Sequence, residues 1–156
     1  MAAVKEGAKA PEFTMPSSEG KEVSLKDYKG KNRVVLYFYP KDDTPGCTVE
    51  ACEFRDNIKK IENSDAVVLG VSPDDVRSHD KFIGKFKLPF TLLADTEKEV
   101  SKAYGVWVKK SMYGKEYMGV ARTTFIIGKD GKVEKIYEKV KPEGHAQEVL
   151  DFLSHA

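Results

Sequence analysis

The stretch "RVVLYFYPKDDTPGCTVEAC", residues 33–52, decides the fold. Residues 33–39 are a continuous β-rich run ended by Pro40, the pattern of a strand buried on both faces. Thr44 is a good helix N-cap, Pro45 suits the first helical position, and a proline also pushes the residue before it out of helical angles. Residues 45–62 then carry Ala51, Phe54, Ile58 and Ile61 at helical spacing on one face. A buried strand thus leads straight into the head of an amphipathic helix.

Working outward, the same alternation recurs. Residues 66–72 ("AVVLGVS") read as a second buried strand, and 74–86 as a helix capped near Ser72 or Asp74. Residues 90–95 give a short third strand, Lys98 to Tyr104 a short helix, and 105–119 a loop or hairpin. Strands at 122–127 and 132–140 flank an Asp-Gly hairpin signal, and Glu143 to Leu153 form a terminal amphipathic helix. Upstream, two extended pieces around Ser-Ser-Glu-Gly predict an N-terminal β-hairpin. The order β-α-β-α-β-β-α is the one the thioredoxin fold requires: an α/β architecture with a mixed central sheet flanked by helices. Sites in such sheets form beyond the carboxyl ends of parallel strands, where residues 40–47 lie.

With 156 residues and neither repeat nor linker, residues 1–156 read as one domain. Of these, 40% are hydrophobic and 33% charged, as in a globular chain, and the apolar runs are too short to cross a membrane. A net charge of +1 without a basic stripe gives nucleic acid no electrostatic handle. Residues 1–10 lack the apolar stretch of a signal peptide, so a cytoplasmic location is expected.

The chain has two cysteines, Cys47 and Cys52. Cys47 is the third residue of the expected helix, where unpaired N–H groups and the positive dipole end favour a thiolate, the reactive form of cysteine. Gly46 beside it lets another group approach the backbone closely. Of the four arginines, Arg122 opens the strand that this fold sets beside residues 33–39, which makes it the candidate partner of that thiolate. Position alone leaves a surface charge equally open. Five helical residues advance roughly 7.5 Å and turn about 140°, so the two Cα atoms fall roughly 8 to 9 Å apart. A disulfide needs about 7 Å or less. The pair can therefore bond only if the first turns unwind, which disfavours a standing bridge but not a transient one. For Cys52 alone, an unrelated buried thiol reads as well as a redox partner.

No metal is expected: His79, His145 and His155 show no ligand spacing and read as surface residues. A cysteine hydrolase would need a histidine aimed at Cys47, and a thioredoxin-like Cys-x-x-Cys pair would need cysteine where Glu50 stands.

"PKDDTPGCT", with Cys52 five residues after Cys47, resembles the active site of the peroxiredoxins, and more narrowly of their bacterioferritin-comigratory or Q-type subfamily. The resemblance runs through "LKDYKGKNRVVLYFYP", "VLGVSPD", "FTLLAD", "YGVW" and "RTTFII", and Pro40, Thr44 and Cys47 meet the pattern P-x-x-x-T-x-x-C. It implies that Cys47 is the peroxidatic nucleophile and Cys52 the resolving thiol. It also implies that Thr44 orients the peroxide, Arg122 stabilises thiolate and transition state, and Pro40 shields the pocket. An intramolecular disulfide reduced by thioredoxin or a similar dithiol is implied, with hydrogen peroxide or organic hydroperoxides as substrates, no cofactor and a monomer. Two other readings remain beside it: a protein thiol–disulfide oxidoreductase, and a chaperone-like binding module on the same fold.

Overall fold

A computed structural model describes residues 4–155. Five strands form the central sheet in the order β5-β4-β3-β8-β9. β3 (Arg33–Phe38), β4 (Ala66–Ser72) and β5 (Thr91–Ala94) run parallel; β8 (Thr123–Ile127) pairs antiparallel with the free side of β3, and β9 (Val133–Tyr137) antiparallel with β8. Two small hairpins stand apart from it. β1 (Thr14–Pro16) pairs with β2 (Glu22–Ser24), followed by a 3-10 turn at Leu25–Tyr28, and β6 (Trp107–Met112) pairs with β7 (Lys115–Val120). This is the mixed sheet of the thioredoxin fold with the expected N-terminal hairpin. Residues 105–119, left open between loop and hairpin, are mostly hairpin.

Successive side chains of a strand point to opposite faces, and β3 shows what that does here. Val35, Tyr37 and Tyr39 face one core with Ala51, Phe54, Phe82, Leu92 and Val149. Val34, Leu36 and Phe38 face another with Phe13, Met15, Leu69, Tyr104 and Phe125. The first core is covered by α1 (Pro45–Asp56), α2 (Ile58–Glu62), α3 (Val76–Phe86) and α5 (His145–Ser154). The second is closed by the N-terminal segment and by the end of α4 (Glu99–Ala103). Each fully buried aromatic ring of this kind contributes about 2 to 3 kcal/mol. In β4, a Cβ on Gly70 would stand 2.7 Å from Leu92 Cδ2 and 2.9 Å from Tyr37 Cζ, so only glycine lets the Tyr37 ring lie across the strand. Among the described residues no helix is long and apolar enough to cross a membrane.

Three expectations need correcting. Residues 45–62 form two helices, because Asn57 leaves helical angles (φ −111°, ψ 8°) and its amide donates back to the Glu53 carbonyl at 2.8 Å. Such local bonds compete with helix propagation. α3 begins at Val76, two residues after the expected start at 74, and its cap is the neighbour of Asp74, Asp75, which accepts from the Ser78 N–H. Asp74 is otherwise engaged, accepting from the Ser72 hydroxyl and the Asp42 N–H. Finally, His79 and His145 are fully buried and only His155 is exposed. Each buried imidazole has polar neighbours for both nitrogens: Asp42 and the Leu93 carbonyl for His79, Glu148 and Thr124 for His145.

Candidate active site

The site forms where β3 ends. The antiparallel register pairs Phe38 with Thr123, so Arg122, one residue before β8, comes level with the end of β3. The crossing from β3 delivers Pro40 (half-buried), then Thr44 at the N-cap, then Cys47 as the third residue of α1. Cys47 is buried, with 1% of its surface exposed. Thr44 has the extended backbone of a cap (φ −100°, ψ 157°), but its side chain does not cap the helix. Its hydroxyl donates instead to the Lys41 carbonyl at 2.9 Å, which leaves its lone pairs for another donor.

Arg122 bridges two groups of α1. Nη2 donates to Cys47 Sγ at 3.3 Å and Nη1 donates to Glu50 Oε1 at 2.7 Å. Burial opposes the Arg122 charge, but Glu50 and Cys47 outweigh it and hold the guanidinium pKa above its ordinary value. A Cβ on Gly46 would lie 3.2 Å from Arg122 Nη2 and 3.4 Å from Pro142 Cγ, so the glycine makes room for the guanidinium and for the 142 loop. An electropositive helix head and a fixed guanidinium thus converge on one buried sulfur. That arrangement stabilises a thiolate and can stabilise negative charge on a departing oxygen.

Cys52 is half-buried farther down the same intact helix, and both thiols are free. The structure therefore brings Cys47, Arg122 and Gly46 together, sets Thr44 at the cap of the same helix and Pro40 in the crossing before it, and leaves Cys52 apart.

Three neighbours escaped the sequence. Glu50, 1% exposed, is the carboxylate that pins Arg122. Burial raises its pKa from 4.5 to about 7 against the pull of Arg122, and its Oε2 has no hydrogen-bond partner among the described residues. The Tyr37 hydroxyl is likewise buried and unpaired; burial, then Glu50 and Cys47, hold it well above its ordinary pKa and so protonated. Lys110 on β6 lies within the field of the site: burial first and Arg122 next lower its pKa, while Cys47 opposes them. A glutamate three residues after a helix-head cysteine could have been flagged by helical spacing; Tyr37 and Lys110 carry no local signal.

Comparison with known proteins gives a consistent picture. A family model described as the AhpC/TSA family matches residues 7–136. Peroxiredoxin Bcp of Bacillus subtilis (strain 168) is 50% identical over 147 residues, covering 94% of this chain and 93% of that protein. Peroxiredoxin Bcp of Escherichia coli (strain K12) is 43% identical over 150 residues, covering 96% of each. Among solved structures, a PrxQ of Xylella fastidiosa superposes with a TM-score of 0.93 at 36% identity, covering 99% of this chain and 98% of that one. The bacterioferritin comigratory protein of Xanthomonas campestris, solved to address its alkyl peroxide reduction, gives 0.90 at 35%, covering 97% and 98%.

Proposed function

We infer the roles of individual residues from one premise: the chain belongs to the AhpC/TSA family and, within it, to the Bcp or PrxQ-type peroxiredoxins, which are thiol-dependent peroxidases. Cys47 is the attacking thiolate and Cys52 the resolving thiol. The observation that carries this reading is the Arg122 guanidinium held on Cys47 Sγ at 3.3 Å while Glu50 fixes its other nitrogen.

The thiolate of Cys47 attacks one oxygen of a hydroperoxide, the O–O bond breaks, and the departing oxygen takes up a proton. Cys47 is left as a sulfenic acid, and the product is water or an alcohol. Thr44, its own proton spent on the Lys41 carbonyl, accepts a hydrogen bond from the peroxide O–H. Arg122 and the N–H groups of the helix head stabilise charge on the leaving oxygen. Pro40 and Gly46 border the substrate, one excluding water and one making room. The head of α1 then unwinds, the Cys52 thiol condenses with the sulfenic acid, and a disulfide forms with release of water. Thioredoxin or a similar dithiol restores both thiols by exchange. The substrates are hydrogen peroxide and organic hydroperoxides, and the chain works as a single-domain monomer in a reducing compartment, the cytoplasm.

Stopped-flow oxidation of the reduced protein tests this reading. Hydrogen peroxide and cumene hydroperoxide should each oxidise Cys47 at least a thousandfold faster than free cysteine, and Cys47→Ser should abolish turnover with thioredoxin and its reductase. A wild-type rate no faster than that of free cysteine would refute the assignment.

A further inference from the structure

Asp42 and His79 form a buried pair that no step above uses. Asp42 lies in the crossing from β3 to α1, and His79 faces it from the first turn of α3. One Asp42 carboxylate oxygen accepts from the Tyr39 hydroxyl. The other accepts from the Ser78 hydroxyl at 2.8 Å and lies 2.7 Å from His79 Nδ1. The Asp42 N–H donates to Asp74 Oδ2 at 2.8 Å, and the Ser72 hydroxyl donates to the same oxygen at 2.6 Å. His79 Nε2 lies 2.9 Å from the Leu93 carbonyl oxygen on β5. Directly, or through Asp74 and His79, one residue of the crossing is thereby tied to the ends of β3 and β4, to α3 and to β5.

The protons can be counted. A carbonyl only accepts, so His79 Nε2 carries a hydrogen; a carboxylate also only accepts, so the contact between Nδ1 and Oδ2 needs a second proton shared between them. The pair is then neutral as a unit, which is how two ionisable groups can sit in the interior. Asp42, Asp74 and His79 offer ligand atoms within 4.8 Å of one another. All three are already engaged in the hydrogen bonds just described, which fasten the chain to itself.

What it fastens is the entrance to the site. The crossing passes through Asp43 in the left-handed region (φ 56°), a conformation that a side chain disfavours and its surroundings must enforce. Its other tie, Lys85 to Asp43 at 2.9 Å, is exposed and therefore weak. Lys41, whose carbonyl fixes the Thr44 hydroxyl, is the immediate neighbour of Asp42.

We propose that the Asp42–His79 pair is a positioning latch for the peroxide site: it holds residues 40–47 in the folded arrangement that meets peroxide, and opposes the unwinding by which Cys52 reaches Cys47. The latch rests on the roles given to those two cysteines. Rapid quenching with mass spectrometry separates sulfenic acid formation from disulfide formation in one experiment. Losing a hydrogen bond to a charged group shifts such an equilibrium about tenfold or more. In Asp42→Ala the first step should therefore slow and the second accelerate, the two factors multiplying to about tenfold or more. His79→Gln, which can still donate to the Leu93 carbonyl, should move both steps the same way and covers the case in which the alanine variant does not fold. Asp42→Asn, whose amide can accept from Tyr39 and donate to a neutral His79 Nδ1, should recover most of what Asp42→Ala loses. Damage to packing alone would slow both steps, or neither. Unchanged rates, or rates falling together, in folded Asp42→Ala or His79→Gln would overturn the latch. If wild-type protein forms neither sulfenic acid nor disulfide, the cysteine assignment itself fails and takes the latch with it.

Discussion

Glu50→Gln tests the electrostatics of the site with a change of very few atoms. Glu50 is 1% exposed and its pKa stands at about 7, against an ordinary 4.5. Below pH 4.5 the carboxyl is neutral in both folded and unfolded chains, and its burial carries no ionic penalty. Between 4.5 and about 7 the unfolded chain gives up the proton while the native site keeps it. The native state then binds more protons, so stability falls as pH rises. Above 7 both states are ionised and the penalty is constant. The displacement of about 2.5 pH units corresponds to about 3 kcal/mol. That is a large share of the 5–15 kcal/mol that holds a typical domain together. Glutamine keeps the shape and an acceptor for Arg122 but has no proton to lose. The measurement is urea unfolding of reduced wild type and Glu50→Gln at a series of pH values. Relative to its value at pH 4.5, the stability advantage of the variant should widen by about 3 kcal/mol by pH 8. Two curves that run parallel over that interval would refute the placement of an ionisable Glu50 against Arg122.

Three further outcomes follow from contacts at the same sulfur. Arg122→Lys replaces a fork reaching both Cys47 and Glu50 with a single ammonium, and should lower the rate of Cys47 oxidation about a hundredfold, with a matching loss of thiolate absorbance. Gly46→Ala puts a Cβ 3.2 Å from Arg122 Nη2; oxidation should slow severalfold while thermal stability holds or rises slightly, since alanine favours the helix by up to about 1 kcal/mol. Cys52→Ser leaves every contact of Cys47 in place, so the first oxidation should proceed at the wild-type rate; mass spectrometry should then find sulfinic acid at Cys47 in excess peroxide, and no intramolecular disulfide.

The sequence disclosed the parts of this site that rest on local pattern. A β-rich run ended by proline, a Thr-Pro-Gly cap and a cysteine in the first helical turn are readable in order, because each constrains its own neighbours. Arg122 was within reach by topology, since the antiparallel β8 has to begin where β3 ends. Helical spacing puts Glu50 near Cys47, but neither its burial nor that of His79 was readable. A glutamate in a helix and a histidine in a charged helix read as solvent-facing until something distant neutralises them. Their partners, Arg122 for one and Asp42 with the Leu93 carbonyl for the other, lie far along the chain. The Thr44 hydroxyl illustrates the opposite limit. Its backbone is that of a cap, as the sequence required, yet the nearby Lys41 carbonyl takes its proton, and only coordinates reveal that choice.

In the proposed cycle, the cost of burying Glu50 also bears on how the helix head is ordered for attack and then melts for resolution. Past Cys52, α1 is anchored: Glu53 accepts from the Gly144 N–H at 2.8 Å, and Arg55 donates to the Phe86 carbonyl at 2.8 Å. Before Cys52, the ties are Arg122 to Cys47 and Glu50. The boundary between the two sets falls beside Cys52, so the turn that would unwind in the proposed cycle is the one carrying Cys47 and Glu50. Oxidation removes the thiolate from Arg122, and unwinding returns Glu50 to water, where it ionises at its ordinary value. At pH 8 the burial penalty of Glu50 is thus discharged by the step that joins the cysteines. Glu50→Gln should therefore slow disulfide formation strongly at pH 8 and far less at pH 5, where both side chains are neutral in the folded site. Equal slowing at both pH values would mean that shape at position 50, and not the stored charge, sets the rate.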